Sequence, residues 1–343
     1  MLLRRCAATA FGLLVLAPGL AACGGGTDLE VGDVVPARDD AQFVDGTASS
    51  VTLPVGRLEV TLGKSTTQLA ASDNRQLEEI AAPDGSTFVP LTWQYDAATF
   101  GEYADYITND DGPTIDLVSD GASYRLPAPR EMGEGSTSFY VLVSGSGKEP
   151  SLAVDFDGVT QTLDLNTGER DTGAAAPLYD LEAPKDKRRP CQADVEFTTK
   201  RVAKDFTCSV RRVARLPYAG DAWAEPGHTW LVITIRTSIR RFDQVAKDFR
   251  SGAVYFASDV ESTFRLGDVE ASAVIEDQDE RVCPDVRQGG CTTVNHVVFD
   301  LADKASTRLT VEQNYELTLN SVYGGADARE TLELPLTTTT TVR

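Results

Sequence analysis

The sequence predicts an all-β protein built as two tandem antiparallel β-sandwiches, and three observations predict it. Short runs rich in β-branched and aromatic residues recur between Gly, Asp and Pro turns, while helix-period patterns are thin. Blocks from the first half return in the same order in the second, as they do when one domain is present twice. At 343 residues the chain is long enough for two cores.

Residues 1–22 read as a signal peptide: Arg4 and Arg5 form a charged start, and the apolar run to Leu20 is too short for a comfortable transmembrane helix. An ordinary secretory peptide ends in A-x-A, but here Leu20-Ala21-Ala22-Cys23 is followed by three glycines. That tetrapeptide resembles the lipobox of bacterial lipoproteins. The resemblance implies that the Cys23 thiol carries lipid, palmitate included, that the chain is cut just before it, and that the protein sits on the outer face of the cytoplasmic membrane. Two or more acyl chains anchor stably where one is marginal. The alternative is a plain secretory peptide in which Cys23 is incidental. Cys6 lies in the discarded segment. Residues 23–50 hold few core candidates and read as a flexible tether with a reach of roughly 25–30 Å.

The first sandwich is expected over residues 51–167, with strands at 58–62, 88–95, 138–145, 151–156 and 160–165. The segment 168–190, rich in small residues, Pro and charge, reads as a linker. The second sandwich is expected over 191–336, with strands at 194–202, 229–235, 294–302, 315–323 and 330–336. The final TTTTTVR, residues 337–343, reads as a polar tail. The repeat rests on three pairs of blocks: GSTFVPLTW (85–93) over GHTWLVITI (227–235), SYRLP (123–127) over TFRLG (263–267), and QTLDL (161–165) over ETLEL (330–334). In the first pair Val89, Leu91 and Trp93 share a strand face and match Leu231, Ile233 and Ile235, so both copies turn the same face inward.

Four cysteines remain once Cys6 and Cys23 are set aside, and an even number in an exported chain reads as disulfides. Three connectivities are possible. Local closure favours Cys191 with Cys208 and Cys283 with Cys291, the second pair stapling a loop inserted in the second copy. A zinc site is disfavoured because there is no C-x-x-C and the chain has two histidines, His228 and His296.

The formal charge of −20 argues against nucleic acid and against adhesion to anionic lipid. Arginine outnumbers lysine 24 to 8, which suggests a GC-rich genome. No nucleophile elbow, zinc-protease, phosphate-loop or dinucleotide motif is present, and His228 and His296 read as structural, so an enzyme is not expected. Two acidic loops, 109–116 and 164–171, offer part of a calcium pattern but lack the closing Glu and read as solvated turns; EDQDE (276–280) reads as a charged loop. No metal or other cofactor is expected. Trp93 reads as core. Trp223, among turn residues beside Tyr218 and His228, is a candidate contact for a partner. The competing reading folds this Trp back over the end of a sandwich.

A lipobox, an acidic spacer opening with VGDVV (31–35), and tandem β domains sharing a G-x-T-F/W-V/L strand together resemble the Ig-like lipoproteins of unassigned function from GC-rich Gram-positive bacteria. The resemblance spans residues 55–336, implies Ig-like sandwiches, and carries no catalytic motif. The function expected is a membrane-anchored binding or scaffolding module for an envelope protein or glycan. The alternatives are an envelope-acting hydrolase and an accessory ligand-binding subunit of an envelope transporter.

Overall fold

A computed structural model of the chain describes residues 29–96, 103–109, 111–129, 135–181, 188–191, 202–204, 206–247, 249–283, 290–302 and 306–342. The signal peptide, Cys23 and most of the strand expected at 194–202 lie outside the described residues. In chain order the first half forms β1 (Val34–Pro36), β2 (Thr47–Leu53), β3 (Gly56–Leu62), β4 (Gln68–Leu69), β5 (Ile80–Ala81) and β6 (Ser86–Asp96). It continues with β7 (Thr114–Ser119), β8 (Ala122–Arg125), β9 (Thr137–Ser144), β10 (Ser151–Phe156), β11 (Val159–Asp164) and β12 (Arg170–Asp171). The second half begins with β13 (Arg189–Pro190), β14 (Val202–Lys204), β15 (Thr207–Leu216), β16 (Tyr218–Ala219), β17 (Ala222–Trp223) and β18 (Thr229–Ile239). Then come β19 (Arg241–Val245), β20 (Gly252–Leu266), β21 (Val269–Glu270), β22 (Ala273–Glu276), β23 (Cys291–Leu301), β24 (Arg308–Tyr323) and β25 (Thr331–Thr341).

Each half packs two antiparallel sheets face to face. The first has the orders β1-β9-β6-β3-β2 and β12-β11-β10-β7-β8; the second has β13-β15-β18-β23-β22 and β14-β19-β20-β24-β25. Val89, Leu91 and Trp93 lie in the core between the first two sheets, and Leu231, Ile233 and Ile235 between the second two. β6 is buried along most of its length rather than alternately, because the β4–β5 hairpin covers its other face, Leu69 and Ile80 clustering with Phe88 of β6. Two-residue Asp-Gly turns, 120–121 between β7 and β8 and 157–158 between β10 and β11, have positive φ at both positions, as the tight hairpin turn requires.

Topology gives the repeat a firmer form than the letters do. The run β9-β6-β3 corresponds to β23-β18-β15, and β10 and β11 correspond to β24 and β25. The block pair at 85–93 and 227–235 falls on β6 and β18, the middle strand of each sheet, and the pair at 161–165 and 330–334 falls on β11 and β25. The pair at 123–127 and 263–267 joins strands that do not correspond. SYRLP lies on β8, the returning strand of a hairpin, whereas TFRLG ends β20, whose counterpart is β7.

The described parts of three segments expected to be loose are packed. Within the expected tether of 23–50, β1 pairs with β9, Val35 and Ala37 are buried, and Gln42 donates to the Tyr140 hydroxyl. Within the expected linker of 168–190, Arg170 donates to the Ser50 carbonyl, and Gly173–Asp180 forms a 3-10 helix with Ala175 and Leu178 buried. Of the expected tail of 337–343, residues 337–341 are the end of β25: Thr338 is buried there, and Val342, just after the strand, is buried and packs into the second core. Threonine is β-branched and suits an edge strand even where a run of it carries no apolar pattern.

Removing residues 337–343 should therefore lower the melting temperature of the second sandwich, since burying one valine side chain stabilises by roughly 1.5–3 kcal/mol. A solvated tail would leave calorimetric melting unchanged.

Candidate functional site

The segment around Trp223 folds as a hairpin. β16 and β17 are joined by Gly220 and Asp221, both at positive φ, and a side chain at Gly220 would crowd Ala273 at 3.0 Å. This turn lies against the first half of the chain. Gly220 N–H donates to the Tyr106 carbonyl at 2.9 Å. The Asp221 carboxylate accepts the backbone N–H groups of Thr108 at 2.7 Å and Asn109 at 2.8 Å, and the Thr108 hydroxyl as well. Burial acts to raise the Asp221 pKa, but these donors outweigh it and hold the carboxyl below its ordinary value.

Tyr218 is 2% exposed. Its ring meets Phe156 edge-on at 5.3 Å, and its hydroxyl donates to Asp157 at 3.1 Å. Burial pushes its phenol pKa well up. Trp223 meets Tyr218 edge-on and donates its indole N–H to the Phe156 carbonyl at 3.0 Å. His228 is half-buried against Asp300, with Nδ1 2.8 Å from the carboxylate. Tyr218, Trp223 and His228, the candidate partner contact, are placed otherwise: Tyr218 and Trp223 dock on the first sandwich of the same chain, as the competing fold-back reading of Trp223 has it, and His228 pairs with Asp300 on β23.

The docking is reciprocal. Tyr106, 1% exposed on a 3-10 turn of the first half, lies with Tyr103 on the outer face of the β15-β18-β23 sheet, over Ala214, Leu216, Val232 and Val298. Its ring meets His296 edge-on at 5.1 Å, and its hydroxyl is 3.4 Å from the Thr234 hydroxyl.

Beside Tyr106 a cavity of about 340 Å³ opens between the two halves, lined by Asp105, Arg188, Arg211, Arg212, Thr234, Asp277, Glu280, Val294 and His296. A β-bulge builds its basic side. Val210 pairs with Ile235 and Arg212 with Thr234, so Arg211 is the extra residue and two consecutive arginines reach one face. Arg211 forms an ion pair with Glu280 at 2.9 Å. Thr234 and His296, paired across β18 and β23, make the floor, with the Thr234 hydroxyl 3.0 Å from His296 Nδ1. His296 is 5% exposed, and desolvation is the main cause that lowers its pKa, against the opposing pull of Asp105, Asp277 and Glu280. In the sequence His296 reads as structural, and nothing near it points to the arginines. The bulge that joins them leaves no local mark.

The remaining expected sites fall elsewhere. Cys191 is bridged to Cys208 and Cys283 to Cys291, with Cα separations of 5.2 and 4.0 Å. Thr114–Asp116 of the first acidic loop belongs to β7, where Asp116 pairs with Arg125. In the second, Asp164 accepts the backbone N–H groups of Asn166 and Thr167, the Thr167 contact chiefly lowering its pKa. Glu276 and Glu280 of EDQDE pair with Arg281 and Arg211. Among the described residues no cluster of His, Cys, Asp and Glu could hold a metal ion, and no helix is long and apolar enough to cross a membrane.

Two predictions follow from this geometry. Tyr218→Ala should cost about 3–5 kcal/mol, as for other buried aromatics, and split calorimetric melting into two steps; one unshifted transition would refute the coupling. For His296 the folded state resists protonation, so the unfolded chain takes up more protons below its ordinary pKa of about 6.5, and stability falls as pH drops through that value toward the lowered folded pKa. Melting temperature between about pH 7.5 and 5.5 should decline more steeply for the wild type than for His296→Gln.

No family model matches the chain, and no curated protein matches it. Among solved structures, the crystal structure of the conserved domain protein from Bacillus anthracis aligns with 86% of this chain and 92% of its own, at 11% identity and a TM-score of 0.22.

Proposed function

We propose that the protein is a lipid-anchored, extracytoplasmic binding module in which two β-sandwiches act as one unit. The observation that carries this reading is the reciprocal clasp, in which Tyr218 and Trp223 seat on Phe156 while Tyr106 seats on the second sandwich. Two domains locked in this way hold a fixed surface outward, as a binding or scaffolding module must. The Leu20-Ala21-Ala22-Cys23 motif supports attachment through Cys23, and the acidic balance supports a body held off an anionic bilayer. The partner is an envelope component, protein or glycan. The junction cavity favours a second reading, an accessory ligand-binding subunit of an envelope transporter, because convergent polar groups in a concavity of this size suit a small ligand.

Cys23→Ala tests the anchor. In cells fed a labelled fatty acid, the wild type should carry label at its mature N-terminus and fractionate with membranes, while the variant should lose both properties. Label persisting at the mature N-terminus of Cys23→Ala would overturn the assignment.

A further inference from the structure

The edge of a β-sheet presents a row of backbone N–H and C=O groups with which another strand can pair, and folded proteins keep such edges short, covered or charged. Most edges of this molecule obey. β1, β8, β12, β13, β14 and β22, each at the end of a sheet, have two to four residues. β2, with seven, is covered: the Ser50 carbonyl accepts from Arg170, the Thr52 N–H donates to the Tyr179 hydroxyl, and the Thr52 carbonyl accepts from Gln161. β25 is the exception. It is 11 residues long, ends its sheet, and pairs with β24 alone.

Two bonds at its ends fix the direction of its backbone groups. Leu319 N–H donates to the Glu330 carbonyl, Val342 N–H donates to the Thr307 carbonyl, and the register between them runs without a bulge. Alternate residues of an antiparallel ladder face the neighbouring strand, so the even-numbered residues of β25 turn their backbone groups to β24 and the odd-numbered ones turn theirs outward. Pro335, which has no N–H, falls in the outward set. Beyond it the outward groups belong to Thr337, Thr339 and Thr341, and among the described residues nothing hydrogen-bonds to them. Their side chains are exposed or half-buried, and no charged residue occurs from Leu334 to Val342 in a chain of net charge −20.

We propose that two copies of the protein pair through this edge, antiparallel about a two-fold axis at Thr339, so that two sheets become one continuous sheet. The occupant is a second copy because the edge complements itself. Thr337 of one copy lies against Thr341 of the other, and Thr339 against Thr339. Each of these pairs exchanges two bonds, about six in all. The alternate pair, Thr338 with Thr340, sets β-branched side chains together across the seam. Charge favours the same site: two bodies at −20 repel each other, and this long edge brings no carboxylate to the seam. Pro335 closes the ladder by placing its ring where a facing carbonyl would come, which puts the axis at Thr339 rather than at Thr337. The inference stands apart from the lipid anchor and from the junction cavity.

The test is sedimentation equilibrium of the full chain as isolated from cells, in a density-matched detergent, at protein concentrations up to about 0.1 mM. The wild type should convert from monomer to dimer. Thr339→Pro removes an outward N–H and spares the bonds to β24, as Pro335 already does. It should weaken association at least about tenfold and leave the melting temperature unchanged where the wild type is monomeric. Thr339→Lys, which sets two like charges together on the axis, should have the same effect without a change of backbone. Cross-linking reads the register. Thr339→Cys should form an intermolecular disulfide under mild oxidation, since a hydrogen-bonded pair holds its Cα atoms about 5.5 Å apart, and Thr337→Cys, whose counterpart is Thr341, should not. All these variants keep Cys23, so association through lipid cancels in the comparison. A wild type that stays monomeric, dimers equally stable in Thr339→Pro and Thr339→Lys, or cross-linking at 337 in place of 339 overturns the proposal.

Discussion

The structure depends on an exchange of aromatic side chains between its two halves. The second half lends Tyr218 and Trp223 to the end of the first core, and the first half lends Tyr103 and Tyr106 to the outer face of a sheet in the second. Edge-to-face pairs such as Tyr218 with Phe156 add roughly 0.5–1.5 kcal/mol each beyond the area they bury. Because the donated groups are also hydrogen-bonded, through Asp157, Phe156 and Thr234, the packing fixes orientation as well as proximity. Asp221 adds a polar latch at the centre of this exchange, with three donors from Thr108 and Asn109 on one carboxylate.

The cavity is a by-product of that exchange. The turn that carries Tyr106 brings Asp105 to the cavity, a charge that the second sandwich does not supply. The β-bulge at Arg211 supplies the opposite charge from within the second sandwich, so the cavity exists where an imported turn meets a local irregularity of a strand. An imidazole held there at low exposure stays neutral, which keeps both of its nitrogens directional.

The strands that were legible in the sequence are those whose signal is local. β6, β9, β10, β18 and β23 each carry a run of β-branched and aromatic residues, and the cysteine pairs carry their own spacing. β7 was hidden because its alternation of Ile115 and Leu117 adjoins an acidic stretch that reads as a loop. The end of β25 was hidden because five threonines show no period, although every second one can face the core. Trp223 was visibly unusual, but what it touches, Phe156, lies 67 positions earlier, and no pattern in either segment points to the other. The site was illegible for the same reason: Arg212, His296 and Asp105 come together only through a bulge and a docked turn.

The interleaving bears on how the chain acquires its structure. The contacts that finish the first sandwich, Tyr218 with Asp157 and Thr108 with Asp221, join residues 61 and 113 positions apart. As the polypeptide emerges from N- to C-terminus, the Phe156 end of the first sandwich stays open to solvent until the hairpin at 218–223 has followed it. Assembly is thus deferred rather than stepwise by domain, and entropy must be spent on distant closures before the apolar end is covered. During that interval the open end is a surface on which another nascent chain could seat its own aromatic hairpin, so the same exchange that unites one molecule is also the route by which two could become entangled.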